Sequence, residues 1–174
     1  PEPPLGEEAD GLGIDPVLFL EPKRIYRAIR EEVLEGDYII PLGKARLVQE
    51  GKNVTIIAWG AMVREAVQAA EKLKEDKIEA EILDLRTISP MDVDAIVTSI
   101  RKTGRGVVVH EAPKTCGLGA EIIAAINEKA LLSLQAPVER VTGFDIPVPL
   151  MKTEHYYLPN PKRIVLAAKK AMSF

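Results

Sequence analysis

An α/β fold, with a mainly parallel sheet flanked by helices on both faces, is the class this sequence predicts. Three observations carry it. From Pro41 onward, apolar strand-like runs and amphipathic stretches alternate four times. The connections between them are short, and the runs are apolar enough to be covered on both sides, as parallel strands between helical layers are.

The elements follow in order. "NVTIIAWG" (53–60) reads as a buried strand ended by Gly60. "AMVREAVQAAEKLKED" (61–76) sets Met62, Ala66, Ala69, Ala70 and Leu73 on one stripe with charges opposite, which predicts an amphipathic helix. "IEAEILDL" (78–85) alternates as a strand does. In "SPMDVDAIVTSIRKTG" (89–104), Ser89 is the expected N-cap and Pro90 the first helical residue. Asp92 and Asp94 sit in the first turn of that helix, and Gly104 follows its cationic end. "GVVVHEA" (106–112) is the third strand, "GAEIIAAINEKALLSL" (119–134) a helix and "VERVTGFD" (138–145) the fourth strand. "PKRIVLAAKKAMSF" (161–174) opens on Pro161 and forms the last helix. No internal repeat is visible.

The amino-terminal part reads differently. Residues 1–15 hold three prolines and three glycines and are expected to be a mobile tail. "PVLFLEP" (16–22) is a short strand candidate, and "KRIYRAIREEVLEGD" (23–37) suits either a short helix or a linker. Residues 1–37 carry too little apolar material for a domain, and read as the end of something larger. Residues 38–174 read as one α/β domain of ordinary size.

The 174 residues are 47% hydrophobic and 28% charged, with a formal net charge of −3. That composition suits a soluble globular protein, and gives no field that would attract nucleic acid or anionic lipid. No apolar run approaches the roughly 18–20 residues that span a bilayer. The acidic, Pro/Gly-rich start does not read as a signal or transit peptide. Cys116, the single cysteine, permits neither an internal disulfide nor a Cys-only metal cluster. A cytoplasmic location is the expectation.

Chemistry-bearing residues concentrate in "GVVVHEAPKTCGLGAEII" (106–123). A zinc helix of the His-Glu-x-x-His type would need a histidine at Lys114, and His155 is the only other one, so the metal reading fails. A nucleophilic Cys116 would need His110 brought to it across a proline and a turn; the bland reading is a small residue filling a loop. Gly117-Leu118-Gly119, between a strand and a helix, could cradle a phosphate. Against that, Ile122 stands where a dinucleotide fingerprint has its third glycine, and Glu121 would repel an anion in the first turn. His110 and Glu111 end a strand, where α/β proteins place their chemistry or their contacts. Successive strand residues point to opposite faces, so a structural pair at a subunit contact suits them at least as well as catalysis.

Residues 81–122, "EILDLRTISPMDVDAIVTSIRKTGRGVVVHEAPKTCGLGAEI", closely resemble the beta subunit of the decarboxylating first component of 2-oxo acid dehydrogenase complexes. That family includes the pyruvate, branched-chain 2-oxo acid and acetoin enzymes. "DPVLFLEPKRIYR" (15–27), "IPLGKARL" (40–47), "IIAWGAMV" (56–63), "APVERVTGFDIPVP" (136–149) and "YLPNPKRIVLAAKKAMSF" (157–174) resemble it too. The resemblance implies that 38–174 is the transketolase-like carboxy-terminal domain. It also implies that the last strand of a pyrimidine-binding domain, and a linker, precede it within 1–37.

In that family the reaction is oxidative decarboxylation of a 2-oxo acid with acyl transfer to lipoyl, using thiamine diphosphate and Mg2+. The resemblance places the glutamate that activates the aminopyrimidine in the absent first domain and the metal-diphosphate motif in the alpha subunit. It therefore implies an enzyme subunit whose present segment binds no cofactor and is inactive alone. Its implied partners are a second beta subunit, the alpha subunit and the peripheral subunit-binding domain of the acyltransferase core. His110, Glu111, Asp145, Pro147 and Pro149 are the expected subunit-interface residues, with Lys170 and Phe174 expected to dock on the core. "TGFDIPVPLM" (142–151) suits a rigid contact loop, because its prolines lose little entropy on docking; its plainer reading is a solvent loop capping the sheet. The rival from another class is an independent nucleotide- or phosphate-binding module built on the Gly117–Gly119 turn.

Overall fold

The computed structural model describes residues 35–150 and 152–174, together with Leu18, 26–28, Arg30 and Glu32. The chain divides into two units, Pro1–Leu34 and Glu35–Phe174, and the sheet belongs to the second. The strand expected at 16–22 and most of the tail and linker lie outside the described residues.

Five strands form one sheet in the order β1-β3-β2-β4-β5. They are β1 (Arg46–Gln49), β2 (Val54–Ala58), β3 (Ala80–Asp84), β4 (Gly106–Val109) and β5 (Glu139–Val141). The pairs β2–β3, β2–β4 and β4–β5 are parallel. The edge strand β1 runs antiparallel to β3, with a register irregularity between Leu47 and Gln49. Helices α1 (Met62–Glu75), α2 (Val93–Thr103) and α3 (Gly119–Ala130) make the crossovers; α4 (Glu154–Tyr157) and α5 (Pro161–Met172) follow β5.

Alternation along the strands divides the core in two. Ile56, Ile82, Val107 and Val109 pack with Met62, Ala66, Ala69 and Leu73 of α1 and Ile164 and Ala168 of α5. Ile57, Leu83 and Val108 point the other way, onto Ile96 and Ile100 of α2 and Ile122 and Ile126 of α3. All five residues of β2 are buried, as expected for the central strand of a doubly covered sheet. Burying each of its isoleucines stabilises the fold by roughly 1.5–3 kcal/mol.

The structure corrects several boundaries. Ser89 is not the N-cap of α2, and Pro90 is not its first residue, because they precede the helix in a cis Ser89–Pro90 unit. Asp92 is the cap: its Oδ1 accepts from the Ala95 N–H at 3.1 Å. Its Oδ2 accepts from the Ala45 N–H at 3.0 Å, a non-local bond that ties the helix start to the approach of β1. Gly104 closes α2 in the left-handed region (φ 70°), its N–H bonded to the Ile100 carbonyl. β4 ends at Val109 and β5 at Val141, earlier than the apolar runs predict, so residues 110–112 and 142–145 are loop. α3 ends at Ala130 and passes into a 3-10 turn over Leu131–Ser133. Asn160 caps α5 through its Oδ1 and the Arg163 N–H (3.1 Å), with Pro161 as the first helical residue. β1 and α4 have no counterpart in the elements predicted from periodicity. Among the described residues no helix is long and apolar enough to cross a membrane.

Candidate functional site at the carboxy ends of the central strands

The chain leaves β2 for α1 on one face of the sheet and leaves β4 for α3 on the other. Between these adjacent parallel strands the connections part, leaving the crevice where open α/β sheets place their sites. Trp59 and His110, the residues directly after the two strands, stand there. Their rings stack with centroids 5.5 Å apart and planes 20° apart.

His110 is only 2% exposed. Its N–H continues the β4–β5 ladder by donating to the Val141 carbonyl at 3.1 Å. Its Nε2 accepts from the Gly119 N–H at 3.3 Å. A nitrogen that accepts carries no proton, so the neutral ring holds its hydrogen on Nδ1. That Nδ1 has no hydrogen-bond partner among the described residues. Burial holds the imidazole below its ordinary pKa; the Ala112 backbone pulls the other way, and the Arg140 guanidinium adds to the lowering.

The glycines of the Gly117-Leu118-Gly119 turn are explained by this ring. A Cβ on Gly117 would lie 2.6 Å from His110 Cε1 and 2.4 Å from the Pro113 carbonyl. A Cβ on Gly119 would lie 2.7 Å from Nε2. The turn is therefore a packing surface for the imidazole, and the amide that a bound phosphate would use is already given to Nε2. Cys116 is exposed at φ 56°, on the solvent side of that turn, while the lone pair that would activate it is engaged by Gly119. Among the described residues no group of three or more His, Cys, Asp or Glu side chains gathers in metal-binding geometry.

Glu111 starts the loop, half-buried, while His110 turns inward. Asp145 receives that loop: its Oδ1 accepts from the Thr115 N–H at 2.9 Å and its Oδ2 from the Thr115 hydroxyl at 2.8 Å. The Thr115 amide and hydroxyl, with Lys114 nearby, hold the Asp145 carboxyl below the ordinary carboxylate range. Arg140 of β5 adds a third tie, donating from Nη1 to the Lys114 carbonyl at 3.0 Å. Pro147 and Pro149 lie in the following segment, where Ile146, Val148 and Leu150 are 57%, 59% and 87% exposed.

The residues leading into that segment are held by α5. Arg163 donates to the Thr142 carbonyl at 2.5 Å and the Tyr157 carbonyl at 3.2 Å, and its guanidinium covers the Phe144 ring at 4.6 Å. Buried Tyr157 meets Phe144 edge-on, centroids 6.2 Å apart. Lys170 is paired with Glu139 at 2.8 Å and Lys169 with Asp76 at 2.6 Å. Phe174 is exposed. Sequence reasoning missed Trp59, Thr115, Arg140 and Arg163. Trp59 alone left a signal, as the only tryptophan and the last bulky residue of a buried run.

Comparisons with known proteins agree with this architecture. Residues 43–164 match the family "Transketolase, C-terminal domain". The chain is 48% identical over 160 residues to the pyruvate dehydrogenase E1 component subunit beta of Bacillus subtilis (strain 168), covering 92% of this chain and 49% of that protein. It is 50% identical over 156 residues to the subunit of the same name from Acholeplasma laidlawii, covering 90% of this chain and 48% of that protein. The chain thus spans about half the length of the curated relatives it matches. Among solved structures, a split-gene transketolase described as an inactive beta4 tetramer superposes with a TM-score of 0.70 at 29% identity. That match covers 82% of this chain and 46% of the other. A 2-oxoglutarate:ferredoxin oxidoreductase from Magnetococcus marinus shares the fold at a TM-score of 0.50 and 15% identity, over 74% of this chain and 19% of that one. With most of the sheet and its helices inside the matched residues, the chain belongs to the transketolase C-terminal domain family.

Proposed function

We propose that this chain is the carboxy-terminal portion of the beta subunit of a thiamine-diphosphate-dependent 2-oxo acid dehydrogenase, and that it supplies assembly contacts rather than reacting groups. The whole enzyme would decarboxylate pyruvate or a branched-chain 2-oxo acid and pass the acyl group to lipoyl, in the cytoplasm. Identity near one half to pyruvate dehydrogenase beta subunits, over nine-tenths of the chain, supports the enzyme class.

One observation carries the division of labour. The polar groups at the strand ends are spent within the chain, His110 on Gly119 and Asp145 on Thr115. Next to them, Phe144, Ile146, Val148 and Leu150 are exposed on a segment whose start is held by Arg163 and which Pro147 and Pro149 stiffen. Apolar side chains on a pre-ordered segment suit a protein partner, since little freedom is lost on docking. Glu111, Asp145, Pro147 and Pro149 are accordingly assigned to a seam with a second beta subunit and the alpha subunit, while His110, buried and bonded to Gly119, serves that seam only by holding the loop that follows it. Exposed Phe174 and the neighbouring Lys170 are assigned to the acyltransferase core.

Thiamine diphosphate supplies an electron sink for the decarboxylation. The described residues do not fit its magnesium-diphosphate end, because the Gly119 amide is engaged and no acidic cluster converges. In this reading the cofactor and Mg2+ are held by other segments of the assembly. Mixing the 174-residue chain with alpha subunit, thiamine diphosphate, Mg2+ and a 2-oxo acid is expected to give no turnover, whereas the complete beta subunit restores it. Appreciable turnover from the short chain would overturn the assignment.

A further inference from the structure

We propose that His110 is an acid-labile pin, which in its neutral form locks the 111–119 loop onto the sheet and on protonation releases it. The contact works in one protonation state only. Neutral Nε2 offers a lone pair to the Gly119 N–H. A protonated imidazole is a donor at both nitrogens and offers no acceptor. Its new N–H would then face the N–H of Gly119, at the positive end of α3.

The ring has no slack in which to turn away. Trp59 stacks on it, and Gly117 and Gly119 approach closely enough to leave no room for a Cβ. The charges around it do not act in one direction: Arg140 disfavours a protonated ring, whereas a carboxylate beside it favours one. From β5, Arg140 opposes a second positive charge. From the end of β2, Trp59 brings none. Glu121 in the first turn of α3 is exposed. In the loops, Asp145 is already bonded to Thr115, Lys114 is cationic, and Glu111 is the adjacent carboxylate. Protonation therefore separates His110 from Gly119, and the loop loses the contact that closes its far end. Because the folded-state pKa lies below the ordinary imidazole value, the pinned form is favoured at neutral pH and gives way as pH falls through that lowered pKa.

The test is amide hydrogen exchange by NMR on the 174-residue chain between about pH 7.5 and about pH 5, expressed as protection factors, with the His110 ring C–H followed in parallel. The Gly119 amide is expected to lose protection about tenfold or more as the His110 ring titrates, while Val107–Val109 keep theirs. His110→Gln can offer a neutral acceptor in a similar place, and should make Gly119 protection independent of pH over that range. Protection at Gly119 that persists once His110 is protonated would overturn the pin, and so would an equal loss in H110Q. Where H110Q does not fold, the wild-type curves decide alone: ring titration and Gly119 protection must share one midpoint, and separate midpoints reject the proposal.

Discussion

The crevice between β2 and β4 and the 144–150 segment that follows β5 are built by opposite rules. In the crevice, a titratable ring is enclosed, and two glycines are kept small to make room for it. In the segment, large apolar side chains face outward although the fold offers no cover for them. Asp145 and Thr115 join the two regions. The difference teaches that inward geometry serves this chain's own stability, whereas the outward surface adds nothing to it and is what the proposed assembly role would use.

The comparison breaks first at Gly117. Gly117→Ala forces a Cβ onto the Pro113 carbonyl and the His110 ring, and should destabilise the chain by about 2–3 kcal/mol or more, read from urea unfolding. A loss under about 0.5 kcal/mol would mean that the crevice tolerates rearrangement and is not a rigid seat. Val148→Asp is the opposite experiment. In the complete beta subunit it should leave stability within about 0.5 kcal/mol while weakening subunit association at least tenfold, near 1.4 kcal/mol, by sedimentation. Unchanged association would reduce the segment to a solvent loop. The smallest effect is expected from Asp145→Asn. A carboxyl held below its ordinary range contributes stability that is present above the unfolded-state pKa and lost as pH falls through the folded one. Asp145→Asn should therefore lower stability slightly at neutral pH and flatten the acid limb, so that the two proteins converge below about pH 4.

How much of this was legible in the sequence depended on how local each cause is. Strands β2 to β5 and helices α1, α2, α3 and α5 announce themselves because burial on fixed faces leaves a periodic record. β1 leaves none, since "RLVQ" is two exposed and two half-buried residues at an edge. The Ser89/Asp92 error has the same root. Both residue types cap helices, and the choice falls to Asp92, which also reaches the Ala45 amide 47 residues away. The position of His110 at a strand end was readable, as was a glycine turn after it. That the glycines exist for the histidine was not, because the ring meets them only once α3 has folded back against the sheet. That Asp145 anchors the loop through Thr115 was not readable, because the two lie 30 residues apart and meet only in the folded chain.

The four residues of β1 have a consequence for how this chain avoids self-association. Without them β3, a buried apolar strand, would present a straight row of unpaired amides and carbonyls to any passing strand. Instead the sheet ends in a short antiparallel ribbon that carries Arg46, shifts register between Leu47 and Gln49, and turns the Gln49 amide inward to the Ala80 carbonyl at 2.8 Å. Short, charged and irregular edges are poor templates for further strand addition. The least legible element of the fold thus guards it against amyloid-like stacking.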